Sequence, residues 1–297
     1  MSRRVQRKVY FFELAEKAEF LPLIPRCVEL IGTLPFNDQG RYLPTKDDDN
    51  VLVLFVESTA FPVKLQFGRI RRSGLPVVED AGQISPLKLA ASAGLLDWAH
   101  LILFEDGILA AEFNADAPRT SKLGEYLYFK GRSILPNSPK FKPLFQRTIL
   151  DELSEFESVY SLDIEAPTLE AASIAEASKS LGQAFSACRK AGKVKKATIS
   201  LKASRKDPND LLELARKIFT TSRSREAVTK LKLTGKTPTG RKPLDLLENY
   251  LISTEDFMRM DERSRAIDPA DAFRILERAY NQKKDKFADA ARADDPW

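Results

Sequence analysis

The chain is poor in the residues that most often carry enzymatic chemistry. Across 297 residues there are one histidine, His100, and two cysteines, Cys27 and Cys188. Structural zinc needs several clustered sulfur or nitrogen ligands, and nucleophilic triads need a histidine base beside serine or cysteine. One His and two distant Cys exclude both. His100 lies in Asp97-Trp98-Ala99-His100-Leu101, inside an apparent strand, where a core or interface role stands ahead of catalysis. The cysteines sit in apolar, helix-like surroundings and read as free, partly buried thiols of a reducing compartment. No run approaches the roughly 20 apolar residues that cross a bilayer. The N-terminal apolar run Val9–Leu14 is too short and too soon charged for a signal peptide. A soluble, cytoplasmic protein without direct membrane insertion is expected. Gly235-Lys236-Thr237 looks like the end of a phosphate-binding loop, but the glycine required five positions earlier is Lys230. No cofactor and no metal site is expected.

What the chain has is a core and a segregated charge. It is 43% hydrophobic with 18 Phe, enough to bury a substantial interior. Residues 193–242 hold fifteen Lys and Arg against Asp207, Asp210, Glu213 and Glu226, a balance of 15 − 4 = +11. The whole chain is only +5, so the rest sums to −6. Segregation of this kind is what a polyanion-binding surface needs.

The pattern of elements is α+β, with mixed or antiparallel sheets, packed helices and a long closing helix. Strands are predicted over 9–14, 51–57, 62–70, 98–104 and 108–113, with a short helix over 87–96. Asp106-Gly107 between two apolar runs predicts a hairpin with a type I′ turn. A helix from Thr120 or Ser121 ends at Gly131. Three prolines in 133–143 suggest a boundary, giving an N-terminal domain over 1–138 and a basic C-terminal domain over 139–297. In the second domain a strand is expected over 158–164, a single amphipathic helix over 171–190 and an alternating strand over 196–203. A helix should follow Asp207-Pro208, with a short strand around Leu231. A mobile basic loop about Gly235–Gly240, an apolar strand over 244–252 and a helix over 269–291 complete the order. Asp47-Asp48-Asp49 reads as a solvated turn.

The basic domain offers the clearest physics. The polar face of strand 196–203 carries Lys196, Thr198, Ser200 and Lys202, phosphate-oxygen donors at two-residue spacing. Lys193, Lys195, Arg205, Lys206, Arg223, Arg225, Lys230, Lys232, Lys236, Arg241 and Lys242 extend the array. It suits double-stranded DNA held through counterion release. No Tyr or Trp lies in the stretch to stack single-stranded bases, and Phe219 looks like core, so backbone contact with little sequence reading is expected. Arg69, Arg71 and Arg72 close an N-terminal strand and are open to either phosphate contact or a plain exposed role. One rival is a metal-dependent nuclease using the carboxylates near Glu105 and Glu112, although no lysine follows Glu112 at the usual offset. Another is a protein-interaction module whose basic face meets an acidic partner.

The segment Leu103-Phe104-Glu105-Asp106-Gly107-Ile108, with Thr120-Ser121-Lys122-Leu123 and Lys130-Gly131, resembles the middle of the RexA-like phage exclusion family. The downstream order of parts is similar as well, over roughly residues 70–290. The resemblance, shared with Kiwa-type anti-phage defence components, implies a cytoplasmic two-domain DNA binder. It further implies a homodimer that works with a membrane-embedded partner protein. It offers no catalytic residues.

Overall fold

The computed structural model describes residues 4–45, 50–90, 92–146, 148–192, 194–203, 210–247, 250–262 and 264–292. The class is α+β, with antiparallel sheets and a long helix near the C-terminus. The chain divides into two compact units, residues 1–141 with 252–284 and residues 142–251 with 285–297.

The first unit begins with β1 (Arg4–Leu14), α1 (Ile24–Thr33), β2 (Asn50–Ser58), β3 (Val63–Arg71), β4 (Leu95–Leu103), β5 (Ile108–Glu112) and α2 (Thr120–Gly131). β1 pairs with β5, β5 with β4, β4 with β3 and β3 with β2, all antiparallel. Alternation along each strand sends Phe12, Leu14, Leu54, Leu65, Phe67 and Leu101 to one face. There they bury against Cys27, Val28 and Ile31 of α1 and Leu123, Tyr126 and Leu127 of α2.

Two local expectations fail here. Among the described residues of 87–96 no helix forms. Leu95 and Leu96 open β4 opposite Arg71 and Ile70, so cross-strand pairing overrides the local helical preference. The β4–β5 hairpin is present, but its turn is not type I′, because only Gly107 has positive φ (84°). The Gly107 N–H bonds Phe104 O at 3.0 Å and the Phe104 N–H bonds Ile108 O at 2.8 Å. That is a tight turn followed by a left-handed glycine, the usual longer alternative to the two-residue loop.

The second unit contains α3 (Thr148–Ser154), β6 (Ser158–Pro167), α4 (Ala171–Ala175), α5 (Lys179–Gly192), β7 (Lys196–Lys202), α6 (Asp210–Thr220), α7 (Ser222–Ala227), β8 (Lys230–Thr237) and β9 (Gly240–Asp245). Its sheet runs β7-β6-β8-β9, antiparallel throughout. Leu162, Ile164, Leu231, Leu233 and Leu244 face the helices and bury with Ile149, Leu181, Phe185, Ile218 and Phe219. The expected single helix over 171–190 is broken into α4 and α5. The pieces fold against each other so closely that a Cβ on Gly182 would lie 2.5 Å from the Ala175 Cβ. The expected mobile loop at 235–240 is instead a hairpin, with Thr237 paired to Gly240. The apolar run over 244–252 is no single strand, since Leu244 belongs to β9 and Ile252 starts the next strand. Asp47–Asp49 and the helix start at Asp207-Pro208 lie outside the described residues.

The chain then returns to the first unit. β10 (Ile252–Met258) pairs with β1 from Arg4↔Met258 to Tyr10↔Ile252. α8 (Pro269–Lys283) follows, capped by Asp268, whose side chain accepts from the Asp271 N–H at 2.9 Å. It covers the sheet face opposite α1 and α2, with Phe273 edge-on to His100 and Tyr280 stacked on Phe104. Residues 252–284 therefore complete the first unit, although their position in sequence suggested the second. The edge of β1 recruits them.

Candidate nucleic-acid interface

The face of the β7-β6-β8-β9 sheet turned away from its helices is open to solvent. Register fixes what lies on it. Lys202, Ser161, Thr234 and Pro243 form one cross-strand row, and Ser200, Asp163, Lys232 and Asp245 form the next. Thr198, Glu165 and Lys230 form a third, and Lys196 pairs with Pro167 beyond it. Lys236 stands between Ser158 and Arg241 at the opposite end. Six of the expected cations thus share one surface: Lys196, Lys202, Lys230, Lys232, Lys236 and Arg241.

The central strand β6 brings acids onto the same surface. Glu165 takes the Lys196 ammonium at 2.6 Å and accepts from Thr198 Oγ1 at 3.3 Å. The Lys196 bond first, and then one from the Thr229 hydroxyl at 2.9 Å, hold its carboxyl below the usual carboxylate range. Asp163 accepts from Ser200 Oγ at 2.6 Å. At the rim, Lys236 meets Glu157 at 2.6 Å, and that hydrogen bond keeps the lysine above its ordinary range. Six cations against Asp163, Glu165, Asp245 and Glu157 leave 6 − 4 = +2. The surplus is uneven. Lys196, Lys230 and Lys232 are matched by Glu165, Asp163 and Asp245, while Lys202, Lys236 and Arg241 face Glu157 alone.

The remaining expected residues are placed elsewhere. Lys195 is exposed just before β7. Lys242 alternates to the other side of β9 and lies 3.2 Å from Glu155 and 3.5 Å from Glu152. Arg223 pairs with Glu176 at 2.8 Å on the helical side. Arg225 is 1% exposed and donates to the Phe219 carbonyl at 2.6 Å. It is a core residue, out of reach of any phosphate. Lys193, Arg205 and Lys206 lie outside the described residues.

One surface feature comes from outside the basic stretch. β6 carries a bulge between Val159 and Ser161. Val159 and Leu162 are both fully buried, so the two residues between them, Tyr160 and Ser161, both turn outward. Tyr160 is 42% exposed. Its carbonyl accepts the Ala203 N–H at 2.8 Å, which ties it to the end of β7 beside Lys202. Tyr160 lies outside the basic stretch 193–242. The signal lay in Val-Tyr-Ser-Leu, where the apolar alternation of β6 slips by one.

Of the carboxylates considered for hydrolysis, Glu112 and Asp106 are engaged in structure, while Glu105 is exposed in the hairpin turn. Glu112 is buried on the α8 side of the first sheet, where it pairs with Arg7 and meets His100 Nδ1 at 2.5 Å. His100 Nε2 is buried without a hydrogen-bond partner among the described residues. Asp106 accepts from the Tyr280 hydroxyl at 2.7 Å. Among the described residues no cluster of three or more His, Cys, Asp or Glu side chains is arranged to hold a metal ion. The strand-end arginines are engaged too. Arg71 pairs with Asp97 at 2.8 Å, Arg69 donates to Asp116 O at 2.6 Å, and Arg72 lies 5.4 Å from the Tyr42 ring centroid.

No protein-family model matches the chain, and no curated protein matches it significantly. Within the described residues no helix is long and apolar enough to cross a membrane.

Proposed function

We propose that the open face of the β7-β6-β8-β9 sheet binds double-stranded DNA through its phosphates, with little reading of sequence. The observation that carries this is convergence. Cations from β7, β8 and β9 reach one exposed surface, spaced by the two-residue period of the strands. Lys202, Lys230, Lys232 and Arg241 are ready to meet a phosphate without first breaking an ion pair, since none is paired among the described residues. The resemblance to the RexA-like and Kiwa-type families supports a setting in phage exclusion or defence. In that setting a cytoplasmic homodimer would signal to a membrane-embedded partner.

The test is binding of a labelled random duplex at rising salt, with and without magnesium. Six phosphate contacts correspond to an affinity that falls by about a thousandfold between 50 and 200 mM salt. Charge reversal of Lys202, Lys230 and Lys232 together should abolish the complex. A duplex ignored even at low salt would end the DNA reading. Magnesium-dependent cutting would instead point to an enzyme.

A further inference from the structure

Resting on the DNA reading above, we infer that Tyr160 is a base-stacking platform and that this sheet face takes single-stranded nucleic acid as well as duplex. Four features of the sheet converge on it. The sheet is open on one side, four-stranded and antiparallel. An aromatic ring on a central strand of such a surface gives a flat apolar patch on which an unpaired base can lie, because every base has a π-face. Duplex bases are already stacked on one another and gain nothing from the ring, whereas a single strand does.

The bulge supplies the second feature. It projects Tyr160 from a strand whose regular alternation would alternate small polar and buried apolar residues. The third is position. Lys202 is paired with Ser161 on one side of the ring, and Lys236 with Ser158 on the other. The two strands beside β6, each about 4.8 Å from it backbone to backbone, thus carry a lysine on either side of the ring. A strand whose base covers the tyrosine would bring one adjoining phosphate to Lys202 and the other to Lys236, which would exchange Glu157 for it. The fourth is charge. The whole surplus of the face lies at this end, where Lys202, Lys236 and Arg241 outnumber Glu157. The far end is neutralised by Asp163, Glu165 and Asp245. A polyanion is drawn to the end that carries the ring.

The experiment uses the full chain and two probes, a labelled oligothymidylate strand and a labelled random duplex, with Tyr160→Ala and Tyr160→Phe. Loss of one stacked base weakens binding by about 5- to 150-fold. Tyr160→Ala should lose that factor on the oligothymidylate and leave duplex affinity in place. Tyr160→Phe keeps the ring and should bind both probes as the parent does. Three results overturn the inference: a strand that fails to bind while the duplex does, Tyr160→Ala that binds the strand undiminished, or equal loss on both probes. If neither probe binds the parent protein, it is the DNA reading itself that fails.

Discussion

Glu112 shows what one buried carboxylate does when it has two partners. Its side chain is fully buried, and it holds Arg7 from β1 and His100 from β4. Removing it leaves the buried His100 imidazole without its partner and the Arg7 guanidinium with only the Arg265 carbonyl, at 2.7 Å, and breaking a buried pair from one side costs about 3–5 kcal/mol. Glu112→Ala should therefore lower the melting temperature by several degrees or more, as followed by circular dichroism. If the melt is unchanged, the network does not hold the fold. The sequence alone placed Glu112 beside a hairpin, where it could equally be read as a hydrolytic ligand. Only the pairing of β1 with β5, which sets Val9 opposite Glu112, brings Arg7 within reach.

At the scale of the element, β6 decides the character of the interface. Its acids temper a face that the lysines of β7 and β8 would otherwise make strongly positive. Glu165→Gln removes one carboxylate and releases Lys196, so duplex affinity should rise and the salt dependence should steepen by about one unit of log–log slope. Unchanged or weakened binding would mean that Lys196 and its neighbours do not meet the phosphates. The lysine alternation along β7 was legible because a period of two is written within seven residues. The acids and Tyr160 were not, because they reach the same face through register and a bulge, which no single segment records. The stripe over 171–190 hid its break for a related reason: α4 and α5 keep apolar residues at helical spacing on both sides of it. β10, reading Ile-Ser-Thr-Glu-Asp-Phe-Met, carries too few apolar residues to announce a strand until β1 is beside it.

Taken whole, the molecule is two units threaded through each other in sequence. The first opens with β1 and closes with β10 and α8; most of the second, residues 142–251, is inserted between them, and residues 285–297 follow α8. Phe257, Phe273, Ile275, Leu276 and Tyr280 are all buried. At roughly 1.5–3 kcal/mol for each large apolar side chain, they supply on the order of 10 kcal/mol, comparable with the whole stability of a typical domain. A chain truncated after Leu251 should lose the first unit's cooperative fold, seen as collapse of amide-exchange protection in β1, β4 and β5. Retained protection there would show that residues 252–284 are dispensable ornament on a complete sheet.

The threading also sets a clock. β1 leaves the ribosome early, yet its partner strand begins at residue 252, so residues 15–251 must be made first. At roughly 5–20 residues per second that wait lasts about 12–50 s. Through it the Arg4–Tyr10 edge has no native strand to pair with, while the inserted unit has nearly all of its own elements in hand. During synthesis the basic unit becomes competent first, and the edge of β1 is where chaperones would find the nascent chain.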